Sequence, residues 1–481
     1  MVREHVAKRS VDGITNAAAI VVDVPRAAVV ARVGSAGFAD TPGGGQVDSC
    51  RAPRSPGSAL KPFAYALAME ANLLFPSESL LDNVLDYGTY QPVNFDGRVH
   101  GLISASDALR RSLNIPAVMV AERTGCPAFY AFLRDAGLTT LTRPAEFYGL
   151  GLVLGNCEVR LEEAAAAYCM LANLGVYRPL AVRPDESHAP RRLLSPGTCL
   201  GVYAMLEQPL PEEFDPSMVP LTNATPVCWK TGTSTGLRDA WAFVFNAQYV
   251  VAVWMGNNDG ASSRSLIGAQ AALPLAARLF RSLPAGSGPA WPETGDALRG
   301  VEVCAVTGLP STQWCPSTRQ VRVPRNLYLA RTCGVHFPAT DEARIAGVQV
   351  VERWPASARN WDLSRVARPV APESVTREGQ AVPAALTHGE TLRILAPADG
   401  AQYVLTGEAN GDRIRLVSSV DAQAAVHWYT DGLYLGASQP NQPLYLDLAA
   451  GKHKLACMTG DAHLQTVVFS VVAPKASGYI R

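Results

Sequence analysis

Ser58 and Lys61 lie three residues apart in the segment Ser58-Ala59-Leu60-Lys61, a spacing that can put a nucleophile beside a base. Side chains three residues apart share one face of a helix. A serine hydroxyl needs an adjacent base, and a partly desolvated lysine can serve once its pKa falls from ~10.4. The pair therefore predicts nucleophilic acyl transfer through Ser58. The alternative is that Ser58 caps a helix and Lys61 is a solvated surface cation.

Lysine is rare in this chain, which favours a chemical role for Lys61. Only six of the 42 basic residues are lysines and the other 36 are arginines, and between residues 9 and 451 the only lysines are Lys61 and Lys230. Arginine cannot act as a base, because it does not lose its proton in proteins. The 42 acidic residues leave a formal net charge of +0, so bulk electrostatic attraction to nucleic acid or acidic membranes is excluded.

Two further motifs follow Ser58 and Lys61 along the chain. Ser112-Leu113-Asn114 precedes Ile115-Pro116, and Lys230-Thr231-Gly232-Thr233 ends a predicted strand. S-x-x-K, S-x-N and K-T-G in this order form the signature of serine β-lactamases and penicillin-binding proteins. Each triplet is common alone, but the ordered set on matching secondary structure is not.

Acyl transfer gives each of these residues an expected role. Ser112 can relay a proton to a leaving amine, and Asn114 can hydrogen-bond a peptide amide, although Asn114 could instead be a turn residue before Pro116. Lys230 is expected to supply positive charge, and Thr231 and Thr233 hydroxyl groups, to a substrate carboxylate.

The same chemistry predicts how the motifs approach one another. Gly232 lets the strand come close to the nucleophile, because no side chain stands in the way. The backbone N–H groups of Ser58 and Thr233 are the expected donors to the oxyanion.

These residues must be positioned by helices and strands, and the helix and strand patterns around them predict an α+β domain over residues 1–283. Two apolar runs, 18–24 and 28–33, predict a hairpin. A helix is predicted to begin at about Gly57 or Ser58, and helical patterns dominate residues 104–208. Strand patterns return at 226–231, 240–246 and 249–255. We expect one five-stranded antiparallel sheet built from both ends of the domain and flanked by helices.

Two further regions follow this domain. Residues 284–385 are predicted to form a proline-rich connecting region, and residues 386–481 an all-β domain of immunoglobulin-like size. The C-terminal domain is predicted to contain seven strands, at 391–395, 402–406, 413–419, 425–430, 443–448, 452–458 and 465–472.

Cys304, Cys315, Cys333 and His336 cluster within the connecting region. The gap between Cys304 and Cys315 is much wider than the usual C-x(2–4)-C of a zinc site, so a disulfide or free thiols are favoured over a metal site. We therefore predict no metal and no cofactor.

Several stretches resemble the transpeptidase domain of class A penicillin-binding proteins, most of all their 1C branch. The resemblance is carried by 54–63 (RSPGSALKPF), 112–118 (SLNIPAV), 229–234 (WKTGTS), 238–241 (RDAW), 90–97 (YQPVNFDG) and, in the last domain, 427–432 (HWYTDG). It implies the penicillin-binding fold and transfer of a D-Ala-D-Ala stem peptide of peptidoglycan to a neighbouring amine. It also implies covalent capture of β-lactams and a periplasmic location, with other cell-wall synthesis proteins as partners of the C-terminal domain.

The sequence departs from this family in one respect, and it leaves two alternative functions open. The family also carries a membrane anchor and a glycosyltransferase domain, and only 57 residues precede Ser58. From the sequence we therefore expect neither that domain, nor a signal peptide, nor a membrane-spanning segment. The motifs do not separate a transpeptidase from a D,D-carboxypeptidase, and a non-catalytic cell-wall scaffolding protein is the alternative from another class.

Overall fold

The structure is a computed structural model, and every structural statement below concerns the residues that it describes. These are residues 1–41, 43–85, 90–183, 185–211, 227–284, 289–328, 330–339, 349–355, 375–377, 393–405, 412–419, 426–431, 433–438, 444–458 and 464–472. Residue contacts divide the chain into two compact units, Met1–Glu378 and Gly379–Arg481. The three-part division expected from the sequence stays a prediction.

The helices all lie in the first unit. The α-helices are α1 Val2–Arg9, α2 Lys61–Glu70, α3 Ala105–Arg110, α4 Asn114–Thr124, α5 Cys126–Asp135, α6 Ala145–Tyr148, α7 Leu161–Ala172, α8 Pro196–Leu206 and α9 Ala272–Arg281. Short 3-10 helices occupy Ser10–Asp12, Gly57–Leu60, Gly149–Leu154 and Gly295–Ala297. The sequence patterns did not reveal α1.

The strands of the first unit are β1 Asn16–Asp23, β2 Ala28–Val33, β3 Ser79–Asp82, β4 Gly101–Ser104, β5 Val176–Tyr177, β6 Arg191–Arg192, β7 Cys228–Thr233, β8 Asp239–Phe245, β9 Tyr249–Gly256, β10 Leu298–Cys304, β11 Thr318–Pro324, β12 His336–Pro338, β13 Val350–Glu352 and β14 Val375–Arg377. Five of them form the central antiparallel sheet, in the order β2-β1-β9-β8-β7. The predicted fold class is thus confirmed: the first hairpin pairs with strands from the far end of the domain.

Alternate residues of the sheet face two different helical layers. Ala18, Ile20 and Val22 of β1 belong to a core shared with α2, α4, α7 and α8. Ala17, Ala19 and Val21 belong to a second core, which includes residues of α1 and α9. This two-residue alternation is the pattern of a strand buried on both faces. The sheet is therefore a rigid central layer, and β7 is one of its edges.

The second unit is built of strands in the part of it that the structure describes. They are β15 Ile394–Ala396, β16 Gln402–Val404, β17 Arg413–Arg415, β18 Val417–Ser418, β19 Val426–Thr430, β20 Leu433–Ser438, β21 Tyr445–Asp447, β22 Gly451–Met458 and β23 Leu464–Val472. Five of them form a sheet in the order β16-β23-β22-β19-β20 around buried Trp428. The prediction of a strand-rich domain is confirmed.

Two details of that prediction are wrong, and parts of it cannot be compared. Strand β20 was missed, and the single strand expected at 413–419 is two short strands that pair with different partners, β21 and β15. Residues 391–392, 406, 425 and 443 of the predicted strands lie outside the described residues. Over the described residues, no helix is long and apolar enough to cross a membrane.

Candidate active site

Ser58 lies in the 3-10 turn Gly57–Leu60 that leads directly into α2, as the sequence predicted. Gly57 has a φ of +52°, a conformation that side chains disfavour, and a Cβ there would lie 2.1 Å from the carbonyl oxygen of Thr233. Buried Tyr168 donates a 2.7 Å hydrogen bond to the carbonyl oxygen of Ala59. The turn is therefore fixed against β7 and α7, and it leaves the Ser58 side chain only partly buried.

Lys61 is completely buried at the start of α2, so it is not the solvated cation of the alternative interpretation. Its Nζ donates to the carbonyl oxygens of Ser112 (2.7 Å) and Leu113 (3.0 Å) and to Oδ1 of Asn114 (2.6 Å). Burial, and then repulsion by the Lys230 ammonium, lowers the pKa of Lys61 well below its ordinary value. The contacts bring the first two motifs together, and the lowered pKa suits a base.

Ser112 and Lys230 are in direct contact. Nζ of Lys230 donates to Oγ of Ser112 and to the carbonyl oxygen of Thr231, both at 2.7 Å. Burial lowers the pKa of Lys230 to about 7. Ser112 itself has a φ of +60°, which is uncommon for a residue other than glycine and is found at functional sites. The third motif is thereby joined to the second.

Gly232 allows β7 to lie against the nucleophile turn, as predicted. A Cβ on Gly232 would lie 2.1 Å from the carbonyl oxygen of Pro56 and 3.1 Å from the Cβ of Ala59. Even an alanine would therefore push the strand away from the turn that holds Ser58.

The backbone of Thr233 faces the same turn. Ser234 donates to Asp239 across the β7–β8 pair, and hydrogen-bonded and non-hydrogen-bonded pairs alternate along an antiparallel ladder. The pair Thr233–Ala240 is thus a non-bonded one, so the N–H of Thr233 points off the sheet edge. Its carbonyl oxygen is the atom nearest to Gly57. The N–H is placed to serve as an oxyanion donor beside Ser58.

Thr231 and Thr233 alternate along β7 with the buried residues Lys230 and Gly232, and both threonines are partly buried. Oγ1 of Thr233 accepts a hydrogen bond of 2.9 Å from the N–H of Gly268. Its own hydroxyl hydrogen stays available for an acceptor such as a carboxylate. Their role in substrate binding remains a prediction.

Asn114 is held by two residues to which the sequence analysis gave no role. Oδ1 of Asn94 accepts from the N–H of Asn114 (2.8 Å) and Ile115 (3.2 Å), and Nδ2 of Asn94 donates to both carboxylate oxygens of Asp82 at 2.9 and 2.8 Å. Asp82 is completely buried at the end of β3. Asn94 lies within the 90–97 stretch that carries the family resemblance, whereas no motif marks Asp82.

Four of the five predicted catalytic residues thus form one contact network, from Lys61 to Asn114 and Ser112 and on to Lys230, and Ser58 lies one turn before Lys61. In the part of the chain that the structure describes, no hydrogen bond engages the Ser58 hydroxyl. The arrangement offers an unengaged hydroxyl, two lysines with lowered pKa values and an outward-facing N–H group. These are the parts required for acyl transfer through a serine ester.

Comparison with protein families gives two matches. A family described as "Penicillin binding protein transpeptidase domain" matches residues 17–192, a range that ends before Lys230. A second, described as "Penicillin-Binding Protein C-terminus Family", matches residues 383–469.

Individual relatives agree with these matches. Penicillin-binding protein 1C of Escherichia coli (strain K12) is 40% identical over 289 residues, which are 59% of this chain and 37% of that protein. Penicillin-binding protein 1F of Bacillus subtilis (strain 168) is 30% identical over 220 residues, 42% of this chain and 30% of that protein. The chain therefore spans little more than a third of the first relative's length.

A solved structure shares the fold. The crystal structure of penicillin-binding protein 1A from Haemophilus influenzae superposes with a TM-score of 0.53 at 20% sequence identity. The superposition covers 66% of this chain and 54% of that one. At this identity the likeness supports the fold alone.

Proposed function

This chain carries the transpeptidase domain of penicillin-binding proteins together with their C-terminal domain, and from that premise we propose that it is a serine D,D-transpeptidase of peptidoglycan synthesis. Ser58 would form an acyl-enzyme with the D-Ala-D-Ala end of a stem peptide and pass the acyl group to a neighbouring amine. The observation that carries the proposal is the contact network that joins buried Lys61 and Lys230 to the partly buried Asn114 and Ser112 beside Ser58.

The first half of the reaction uses Lys61 as the base. A neutral amine donates only two hydrogen bonds, so Lys61 can keep two of its three carbonyl partners and turn its lone pair toward Ser58. As the proton leaves, Oγ of Ser58 bonds to the carbonyl carbon of the penultimate D-Ala. The negative charge then develops on the carbonyl oxygen, where the N–H groups of Ser58 and Thr233 can stabilise it.

The second half uses Ser112 and Lys230. The peptide C–N bond breaks as the Ser112 hydroxyl gives a proton to the leaving nitrogen, and Lys230 stabilises the oxygen from which that proton comes. The proton that Lys61 took from Ser58 then passes to Ser112, which restores both the Ser112 hydroxyl and the neutral Lys61. Free D-Ala leaves and Ser58 remains as an ester. The acceptor amine then attacks the ester, loses a proton through the same groups and releases Ser58. A β-lactam would follow these steps as far as the Ser58 ester, with cleavage of its ring C–N bond, and stay attached.

The direct test is product analysis with a stem pentapeptide and an amine acceptor, followed by mass spectrometry. A transpeptidase produces the cross-linked peptide, and Ser58→Ala abolishes it while the surface control Ser10→Ala does not. Release of D-Ala alone, with water as acceptor, would identify a D,D-carboxypeptidase instead. Absence of both products and of any β-lactam adduct would favour a non-catalytic scaffolding protein.

We also propose a periplasmic place of action, since peptidoglycan lies there, and a binding role for the second unit. Leu433, Tyr434 and Tyr445 of that unit are large apolar residues that are more than half or half exposed. Such residues favour contact with a partner protein of cell-wall synthesis. Pull-down with and without residues 386–481 tests this: equal recovery of cell-wall synthesis proteins by the two chains would contradict it.

A further inference from the structure

Cys304, Cys315, Cys333 and His336 come together at one point of the first unit. Cys304 ends β10, Cys315 lies in the connection to β11, Cys333 lies in the loop before β12, and His336 begins β12. Their three sulfur atoms and an imidazole nitrogen all lie within 4.8 Å of one another. We call these four residues the Cys/His cluster.

The distances within the cluster fit ligands around one metal ion. Nδ1 of His336 lies 3.4 Å from Sγ of Cys304 and 3.3 Å from Sγ of Cys333. Ligands of a tetrahedral zinc ion, with bonds of about 2.3 Å to sulfur and 2.0 Å to nitrogen, lie about 3.5 Å apart when one is sulfur and one nitrogen. All ten cysteines are free thiols in this structure, and three cysteines cannot be satisfied by disulfides within the cluster.

The surroundings of the cluster also suit a metal site. Nε2 of His336 is completely buried and faces Oε1 of Glu352 at 3.8 Å, across the β12–β13 pair. Nε1 of Trp354 donates to the other oxygen of Glu352 at 3.0 Å. A carboxylate behind a metal-bound histidine is the usual means of orienting the ring. The backbone N–H of Thr312 donates to Sγ of Cys315 at 3.3 Å, as expected for a thiolate acceptor.

We propose that the Cys/His cluster is a structural zinc site with three thiolate ligands and one imidazole ligand. The mixture of thiolates and imidazole in a compact group favours Zn²⁺ over Mg²⁺ or Ca²⁺, which prefer oxygen ligands. Four protein ligands close the coordination shell, so the ion has no open position for a substrate and its role is structural.

The site would fix a turn that supports the transpeptidase motifs. Gly308 and Val306, next to Cys304, accept hydrogen bonds from the hydroxyls of Ser77 (2.6 Å) and Ser79 (2.8 Å). Ser79 begins β3, and β3 ends at Asp82, which holds Asn94 and through it Asn114. Zinc would thus stabilise β3 and, through Asp82 and Asn94, the position of the second motif.

Metal analysis of the full chain tests the proposal without any use of its catalytic activity. The chain is purified in a non-thiol reductant from zinc-supplemented medium and desalted, and its zinc is measured by mass spectrometry. We expect one zinc ion per chain in the native protein and in Cys126→Ser, a matched control because Cys126 is also partly buried. In Cys315→Ser we expect the zinc affinity, measured by competition with a chelator, to fall at least tenfold.

Cobalt substitution of the native chain provides a test that does not depend on a variant that may misfold. Replacing zinc by Co²⁺ should produce thiolate-to-cobalt charge-transfer absorption in the near ultraviolet, with one ion bound per chain. Three results would overturn the proposal: a native chain that neither contains nor takes up zinc or cobalt, a disulfide among Cys304, Cys315 and Cys333, or unchanged zinc affinity in Cys315→Ser.

Discussion

Two groups of reactive residues in the first unit differ in how they are built. The proposed catalytic residues lie on the edge strand β7, at the starts of α2 and α4, or in the turns directly before these helices, and their cations are buried with lowered pKa values. The Cys/His cluster lies at strand ends and in loops of two small sheets, the two-stranded β10-β11 and the three-stranded β12-β13-β14. In the first group, burial lowers the pKa values of Lys61 and Lys230 and so favours their reactive, neutral forms. In the second group, the thiols and the imidazole contact one another. The comparison thus sets a site proposed for catalysis beside one proposed to stabilise structure.

Replacing the proposed base, Lys61, should have the largest effect on the acylation rate constant. Lys61→Arg keeps a positive charge but cannot accept a proton, so we expect the β-lactam acylation rate constant to fall about 10²- to 10⁴-fold. The exposed Lys8 provides the matched control Lys8→Arg, which should acylate normally. Acylation rates and thermal melting of both variants are the measurements, and a folded, fully active Lys61→Arg protein would refute the base assignment.

Moving the edge strand should have the next largest effect. Gly232→Ala places a Cβ 2.1 Å from the Pro56 carbonyl oxygen. A displacement of about 1 Å at a reacting group can slow acylation on the order of 10²-fold. Gly300 also lies in a strand, but a Cβ there meets nothing closer than 3.9 Å, so Gly300→Ala is the control. Equal acylation rates for the two variants would show that the close approach of β7 is not required.

Removing the metal should act on stability more than on chemistry. If free zinc exceeds its Kd about 1,000-fold, chelation should lower the free energy of unfolding by about 4 kcal/mol, as measured by denaturant unfolding of the native chain. We expect acylation to slow less than about tenfold, since the contacts from the Cys/His cluster reach Asn114 indirectly, through Ser79, Asp82 and Asn94. An acylation loss as large as that of Lys61→Arg would mean that the two groups form one functional unit.

The smallest expected effect is the response of acylation to alkaline pH. A lysine base with an ordinary pKa would make the rate rise about tenfold per pH unit up to ~10.4. Burial and the neighbouring Lys230 lower the pKa of Lys61 well below its ordinary value, so this base loses its proton at a lower pH than an ordinary lysine does. We therefore expect no such rise between about pH 8 and 10, where Lys230, with a pKa of about 7, also loses its charge, and we expect the rate constant to fall in acid. A tenfold rise per unit across that range would contradict the lowered pKa.

The sequence predicted the catalytic group because each motif is short and lies on one element. Ser58 and Lys61 share a helical turn, and Lys230, Thr231 and Gly232 share a strand, so local spacing determines which residues meet. The hairpin at β1 and β2 and the three later strands were recognised by their apolar runs. Local spacing could not show the residues that hold the motifs in place. Asp82 lies in no recognisable motif, and Tyr168 hydrogen-bonds to Ala59 because α7 packs against the turn.

The Cys/His cluster shows the opposite situation, and the prediction that it holds no metal stays untested. Cys304 and Cys315 are separated by ten residues and Cys315 and Cys333 by seventeen, so spacing gave no sign that their sulfur atoms meet. The pairings β10–β11 and β12–β13 bring them together. The Cys333-x-x-His336 spacing was the one local signal. In the second unit, β20 was missed because its pattern is interrupted by Gly436 and its outward residues Leu433 and Tyr434 are apolar.

The central claim, that Ser58 forms a covalent acyl-enzyme, is tested most directly by mapping a β-lactam adduct. The native chain is incubated with a fluorescent penicillin, digested, and analysed by peptide mass spectrometry. We predict one adduct per chain, located on Ser58 and absent from Ser58→Ala. An adduct on another residue, equal labelling of Ser58→Ala, or no adduct on the folded native chain would contradict the account.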